Sequence, residues 1–208
     1  MKQIKKKIAI TGGIASGKTQ VTQYLESLHY LVLDSDAIYK ELARKGGKIY
    51  EALLDAYGGE IILSDGQVDW KKMGDLVFSD EKELERLNSL THPLIYQEIE
   101  ERINSLSEKN IKDSLLFIDI PLLFESYSYA SKIDFSSIWL VYTSPDKQIA
   151  RLMQRNQLTR KEALARIEAQ MSFEEKRKRS NEILVNNSTR EDLFRKVDQL
   201  IQKYKEDE

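Results

Sequence analysis

The chain has 208 residues, with 32 Lys and Arg against 34 Asp and Glu, 41% hydrophobic residues and no cysteine. That length allows one domain with insertions, or two small ones, and is short for two independent enzymes. The missing cysteine removes disulfide scaffolds, thiolate nucleophiles, Cys-ligated zinc and iron–sulfur clusters, and two histidines, His29 and His92, are too few for a His-based metal site.

In chain order, basic Met1–Lys7 is followed by only Ile8-Ala9-Ile10 before glycine, too short for an export signal. No run approaches the ~20 apolar residues of a membrane span. A soluble cytoplasmic protein is expected. Ile4–Thr11 reads as a buried strand, Thr19–Leu28 as a helix with Val21, Tyr24, Leu25 and Leu28 on one face, and Tyr30–Leu33 as a second strand ending at Asp34-Ser35-Asp36. This order is a βαβ unit. From Ala37 to Leu106 helical patterns dominate, punctuated by Gly46-Gly47, Gly58-Gly59, Asp65-Gly66 and Pro93. Ala37–Arg44, Leu84–Leu90 and Leu94–Leu106 are expected helices, the last starting at Pro93, with His92 as a helix-start residue. Ser114–Ile120 and Ile138–Thr143 restore the strand pattern. Helices over Asp146–Gln154, Arg160–Met171 and Phe173–Arg179, a short strand at Ile183–Val185 and an amphipathic helix over Arg190–Tyr204 complete the chain.

The small net charge of −2 conceals an uneven distribution: residues 1–33 carry +4, 34–110 carry −7 and 150–182 carry +4. The pI of about 5.9 and the lack of any nucleic-acid-binding signature argue against a nucleic acid partner. A nucleotide triphosphate needs fewer cations.

Gly12-Gly13-Ile14-Ala15-Ser16-Gly17-Lys18-Thr19 matches G-x-x-x-x-G-K-[ST]. A loop that wraps a phosphate must turn its N–H groups inward, which glycine permits most easily. The following helix adds its positive end, Lys18 a point charge for the β- and γ-phosphates, and the Thr19 hydroxyl a Mg²⁺ ligand. Leu115–Asp119 has the apolar-run-plus-Asp pattern of a second metal-side strand. Its Asp119 competes with Asp34 and Asp36 for the metal, and a turn-capping role for Asp119 stays open.

No guanine-recognition N-K-x-D motif is present, and Asp55-Ala56-Tyr57-Gly58 falls in an expected helix, so a switch GTPase is disfavoured. A kinase for a small acceptor needs a carboxylate for the attacking hydroxyl, cations for the transferring phosphoryl group and a cover that excludes water. Asp34-Ser35-Asp36, placed at the end of a strand beside the phosphate-loop strand, supplies two carboxylates, one of them also suited to cap the next helix. Arg151 and Arg155, four apart on one helix face and followed by the turn Asn156–Thr159, supply the cations of a lid.

With these residues the chain resembles the dephospho-coenzyme A kinases of the nucleoside-monophosphate-kinase-like P-loop fold, over nearly its whole length. The marks are Thr11–Lys18, Asp34-Ser35-Asp36, His92-Pro93-Leu94-Ile95, Ile120–Glu125, Gln148 to Arg151 with Arg155, Gln170 and Asn186-Asn187. The resemblance implies an α/β P-loop NTPase fold: a five-stranded parallel sheet flanked by helices, with a core of residues 1–36, 107–150 and 181–208. It further implies a helical acceptor-binding insertion at 37–106 and a lid at 151–180. It implies transfer of the ATP γ-phosphoryl group, with Mg²⁺, to the ribose 3′-hydroxyl of dephospho-coenzyme A. Asp36 is then the base or orienting group, Lys18, Arg151 and Arg155 the cations, Thr19 and Asp34 the metal side, and Gly12–Thr19 with Asn187 the ATP site. A monomer is expected, with no membrane partner. Three departures from the family pattern stand out: Ala15 for glycine, Lys40 for an arginine after the Asp pair, and Trp70 for an arginine after Asp69. A left-handed φ at Ala15 costs on the order of 1 kcal/mol, and Lys40 gives up a bidentate fork. Another small-molecule or nucleoside monophosphate kinase of this fold, and a non-enzymatic nucleotide switch, are the alternatives.

Overall fold

The computed structural model describes residues 6–106 and 112–206; Ile4 and Lys5 of the expected first strand, and residues 107–111 at the expected domain boundary, lie outside them. Among the described residues five strands alternate with helices: β1 (Lys6–Gly12), β2 (Leu31–Asp34), β3 (Leu115–Asp119), β4 (Ser137–Tyr142) and β5 (Glu182–Val185). They form one parallel sheet in the order β2-β3-β1-β4-β5. The all-parallel sheet was expected, but the place of β2 is not. β3 lies between β2 and the phosphate-loop strand β1, so Asp34-Ser35-Asp36 does not follow a neighbour of β1. The cause is burial. All five residues of β3 are buried, whereas β2 is only partly covered and takes the edge.

The contacts divide the chain into two units. The first runs up to Leu33 and takes in Leu106–Tyr127 and Asp134 onward; the second comprises Asp34–Ser105 and Ser128–Ile133. In the first, α1 (Lys18–Ser27) and α10 (Arg190–Glu206) cover one sheet face. Ile8, Ile10, Phe117, Trp139, Val141 and Leu184 from the strands meet Val21 and Leu25 of α1 and Leu193, Val197 and Ile201 of α10. Tyr24 stacks on Phe194 with ring centroids 3.8 Å apart. Full burial of each large apolar side chain contributes roughly 1.5–3 kcal/mol, so this layer dominates the stability of the unit. The first unit also holds α7 (Pro145–Asn156), α8 (Arg160–Glu168) and α9 (Phe173–Lys178). α8 starts on a reciprocal cap between Thr159 and Glu162 and stops at Glu168, three residues before the expected end, leaving Gln170 and Met171 in a turn before the Ser172 cap of α9.

In the second unit α2 (Ser35–Leu42), α3 (Lys48–Tyr57) and α4 (Trp70–Ser79) all pack on α5 (Glu81–Ser105). The break expected at Pro93 does not occur: α5 runs through it as one helix of 25 residues. Proline removes one helical N–H and normally kinks a helix interior; here Ile95, Tyr96 and Ile99 are buried beyond it, and three packed helices hold the rod together. His92 is accordingly an interior residue, edge-on to Tyr129 of the same unit at 5.7 Å, and burial lowers its pKa. α6 (Tyr127–Ala130) is one short turn. No helix among the described residues is long and apolar enough to cross a membrane.

Candidate active site

β1 ends at Gly12, and the loop to α1 is the G-x-x-x-x-G-K-T segment. Gly12 is required by close approach: a Cβ there would stand 2.6 Å from Ser16 Oγ and 2.8 Å from the Val141 carbonyl oxygen. Gly17 has φ 95° as the residue preceding α1, and a Cβ there would lie 2.1 Å from Asn186 Nδ2. Ala15 also sits in the left-handed region, at φ 58°. Ile14 and Ala15 pack against Ile149, Leu152 and Ala163 of α7 and α8, apolar burial that offsets the methyl group's strain.

The loop's outward polar groups are taken by side chains from distant segments. Ile14 N–H donates to Gln170 Oε1 at 2.8 Å, and Gln148 Nε2 donates to the Ile14 carbonyl at 2.7 Å. Arg151 Nη1 reaches the Ala15 and Ser16 carbonyls at 3.4 and 3.3 Å, and its Nη2 the Asn186 carbonyl at 3.4 Å. Asn186 Nδ2 donates to the Ser16 carbonyl at 2.9 Å. With its carbonyls bound outward, the loop is free to turn N–H groups inward, which is the polarity an anion needs. Ser16 Oγ is buried without a hydrogen-bond partner among the described residues. A cavity of about 550 Å³ opens beside Gly13 and Ser16, walled by the C-terminal end of β4, Met171 and Phe173.

Lys18, at the start of α1, is ion-paired to Asp119 at the end of β3. Thr19 follows, exposed on the first turn. Asp119 is therefore placed with the phosphate-loop lysine, in the same unit. Of the two arginines expected as lid cations only Arg151 touches the loop: Arg155 is exposed and its Nε donates to Asn156 Oδ1 at 3.0 Å. Asn187 does not reach the loop in the way Asn186 does. Its Oδ1 accepts from Thr143 Oγ1 at 3.1 Å and Ser144 N–H at 2.7 Å, and Lys147 Nζ binds its carbonyl, so it joins the end of β5 to the start of α7. Asn186, Gln148 and Gln170 are family marks in the sequence; that their side chains hold the loop is visible only in the fold. A further support is buried: Lys176, 1% exposed, pairs with Glu125 at 2.8 Å, and Glu125 Oε1 accepts the Met171 N–H at 3.0 Å. That carboxylate anchors the turn carrying Gln170.

In the second unit, Asp34 is the N-cap of α2: its Oδ1 accepts from Asp36 N–H at 2.8 Å and Ala37 N–H at 3.2 Å. Asp36 is exposed in the first turn of α2.

Comparison with known proteins adds a decisive match: the model of the dephospho-CoA kinase family fits residues 6–192. The chain belongs to the dephospho-CoA kinase family. A dephospho-CoA kinase of Carboxydothermus hydrogenoformans is 39% identical over 198 residues, covering 95% of this chain and 94% of that one. A crystal structure from Thermus thermophilus superposes with a TM-score of 0.77 at 33% identity, covering 95% and 97% of the two chains. The structure of dephospho-CoA kinase from Campylobacter jejuni gives 0.70 at 26% identity, with 96% and 97% covered. The fold family implies Mg²⁺ at the nucleotide phosphates. Among the described residues no group of three or more His, Asp or Glu forms an ion cage. The Thr19 hydroxyl and single carboxylates such as Asp119 nevertheless fit the one or two protein oxygens that Mg²⁺ takes when substrate phosphates and water complete its shell.

Proposed function

We propose that the protein is an ATP-dependent kinase that phosphorylates the ribose 3′-hydroxyl of dephospho-coenzyme A, giving coenzyme A and ADP, the last step of coenzyme A biosynthesis. The observation that carries this reading is the family match across residues 6–192, on a chain whose G-x-x-x-x-G-K-T loop is held with its carbonyls bound outward.

Gly12–Thr19 receive the ATP phosphates, with Lys18 leaving Asp119 for the β- and γ-phosphates as they arrive. Asn187 and its neighbours lie toward the adenine. Asp36 accepts the proton of the 3′-hydroxyl as that oxygen bonds to the γ-phosphorus, and the bond from that phosphorus to the β,γ-bridging oxygen breaks to release ADP. Arg151 and Arg155 follow the charge on the moving phosphoryl group from a lid of residues 151–180, and residues 37–106 bind the acceptor. Bound Mg²⁺ supplies charge neutralisation at the phosphates. Thr19 and Asp34 would hold it, Asp34 through the Oδ2 that remains after Oδ1 takes both cap bonds. The protein acts in the cytoplasm as a monomer.

Incubation with ATP and Mg²⁺ and a panel of acceptors tests the reading. Dephospho-coenzyme A should yield ADP and coenzyme A; faster transfer to a nucleoside monophosphate or to shikimate overturns it.

A further inference from the structure

Three segments distant in the chain meet at one carboxylate oxygen. Glu125 Oε1, from the loop after β3, pairs with the Lys176 ammonium of α9 at 2.8 Å and accepts the Met171 N–H, from the turn before α9, at 3.0 Å. The residue before that N–H is Gln170, whose Oε1 accepts the Ile14 N–H of the phosphate loop at 2.8 Å. All of these residues belong to the first unit. A line of contacts therefore runs from Lys176 through Glu125 and the Met171 peptide to Gln170 and the loop.

Two observations separate this junction from plain packing. Lys176 is the one fully buried cation among the described residues, with a side chain 2% exposed, while Glu174, Glu175, Arg177 and Lys178 of the same helix are exposed. Taking an ammonium out of water costs solvation that a single ion pair returns only in part, so an apolar pair of similar volume often serves stability as well. Next, α9 has ties of its own. Tyr142 stacks on Phe173 with centroids 3.9 Å apart, and Ser172 Oγ accepts the Glu175 N–H at 3.3 Å. Neither tie involves the Met171 peptide, which Glu125 holds.

We propose that Lys176 and Glu125 are positioning residues for ATP, which act by fixing Gln170 against the Ile14 N–H. The inference rests on the reading above that this loop receives the ATP phosphates. The Glu125 side chain is 23% exposed, so water competes for its oxygens; the buried ammonium draws the carboxylate inward, onto the Met171 N–H. Without that hold the turn shifts, Gln170 leaves Ile14, and the loop loses one of the bonds that set its polarity. The pair as a unit adds little to stability, because removing both charges strands neither.

Two double variants of the full chain divide position from stability. Lys176→Met with Glu125→Leu removes both charges and the acceptor for the Met171 N–H. Its denaturation midpoint should stay near that of the unaltered chain, while the KM for ATP should rise about tenfold, the scale of one hydrogen bond, with kcat in place. Lys176→Met with Glu125→Gln also removes both charges but keeps a carbonyl oxygen for that N–H, and its KM for ATP should return toward the unaltered value. Adding Gln170→Leu to the leucine pair should leave the rise at about tenfold rather than about a hundredfold, because effects that pass through one bond do not add. Calorimetric titration with ATP and Mg²⁺, without acceptor, should give the same order of affinities. An unchanged KM in the leucine pair, equal KM values in the leucine and glutamine pairs, a fall in kcat alone, or an additive rise with Gln170→Leu each overturns the inference. Should the leucine pair not fold, Lys176→Met alone takes its place against the glutamine pair, with the same outcomes. An unaltered chain that binds ATP without converting dephospho-coenzyme A overturns the proposed function instead, and the titrations then decide the positioning role.

Discussion

The phosphate loop and the cavity beside α2 treat their polar groups in opposite ways. Around the loop, the Ile14, Ala15 and Ser16 carbonyls and the Ile14 N–H are met by Gln148, Arg151, Gln170 and Asn186, and Lys18 is matched by Asp119. Around the cavity, Lys40, Arg44 and Lys45 have no carboxylate within ion-pair distance among the described residues, and the Trp70 indole is open to solvent. One region is assembled by the protein's own bonds before any ligand arrives. The other leaves its cations exposed. Loop partners should therefore govern stability and ATP together, and substitutions at the exposed cations should leave both in place.

The largest effect expected is on chemistry: Asp36→Asn should lower kcat by about 10²–10⁴-fold, the usual worth of a general base, while equilibrium binding of ATP persists. An unchanged kcat removes Asp36 from the mechanism. Lys18→Ala should follow, with a loss of about 10²–10³-fold in kcat/KM for ATP and no gain on adding acceptor. Lys176→Met breaks a pair whose lysine side chain is 2% exposed and should cost about 3 kcal/mol in chemical denaturation. Adding Glu125→Gln should restore part of that, since the amide oxygen can still accept the Met171 N–H. If Lys176→Met is neutral, the buried pair does not anchor the turn. Gln170→Leu and Gln148→Leu should raise the KM for ATP about tenfold, the scale of one hydrogen bond, with the acceptor KM unmoved; equal movement of both constants would erase the contrast between the two regions.

The smallest effect concerns a surface pair remote from both. Asp113 is partly buried, which alone would raise its pKa, but the bonds from Lys205 at 2.7 Å and from Tyr30 outweigh burial and hold it below the ordinary value. A depressed folded-state pKa gives stability above the unfolded value and loses it as pH falls through the folded one. Asp113→Asn should thus cost about 0–1 kcal/mol at pH 7 and progressively less as the pH is lowered toward the folded-state pKa, a trend that thermal melts over a series of falling pH can resolve.

How far the sequence carried the reading depends on the distance over which each feature is encoded. The phosphate loop is contiguous, so its glycines, lysine and flanking strand and helix could be read directly. Its holders come from positions more than a hundred residues away, and nothing local says which amide of Gln148, Gln170 or Asn186 faces Ile14 or Ser16. Which of Asn186 and Asn187 meets the loop is not written locally, because neighbouring side chains leave in different directions. Strand order was misjudged for β2 because pairing is non-local; the denser apolar content of Leu115–Ile118 against Leu31–Leu33 was the available signal. At Pro93 a sound local rule lost to tertiary packing on α5. The cavity beside α2 was half visible: Lys40 and Trp70 had been noted as departures, but their meeting with Lys45 across Gly66 required the fold.

The chemistry of the loop's holders has one more consequence. Gln148, Gln170 and Asn186 grip peptide groups through side-chain amides, and neither amides nor peptides gain or lose protons between pH 4 and pH 10. Proton concentration therefore has no direct handle on those three contacts; the ionised group behind them is the Glu125–Lys176 pair at the turn that carries Gln170. A pH–rate profile measured on this enzyme should register the reacting carboxylate and the phosphates.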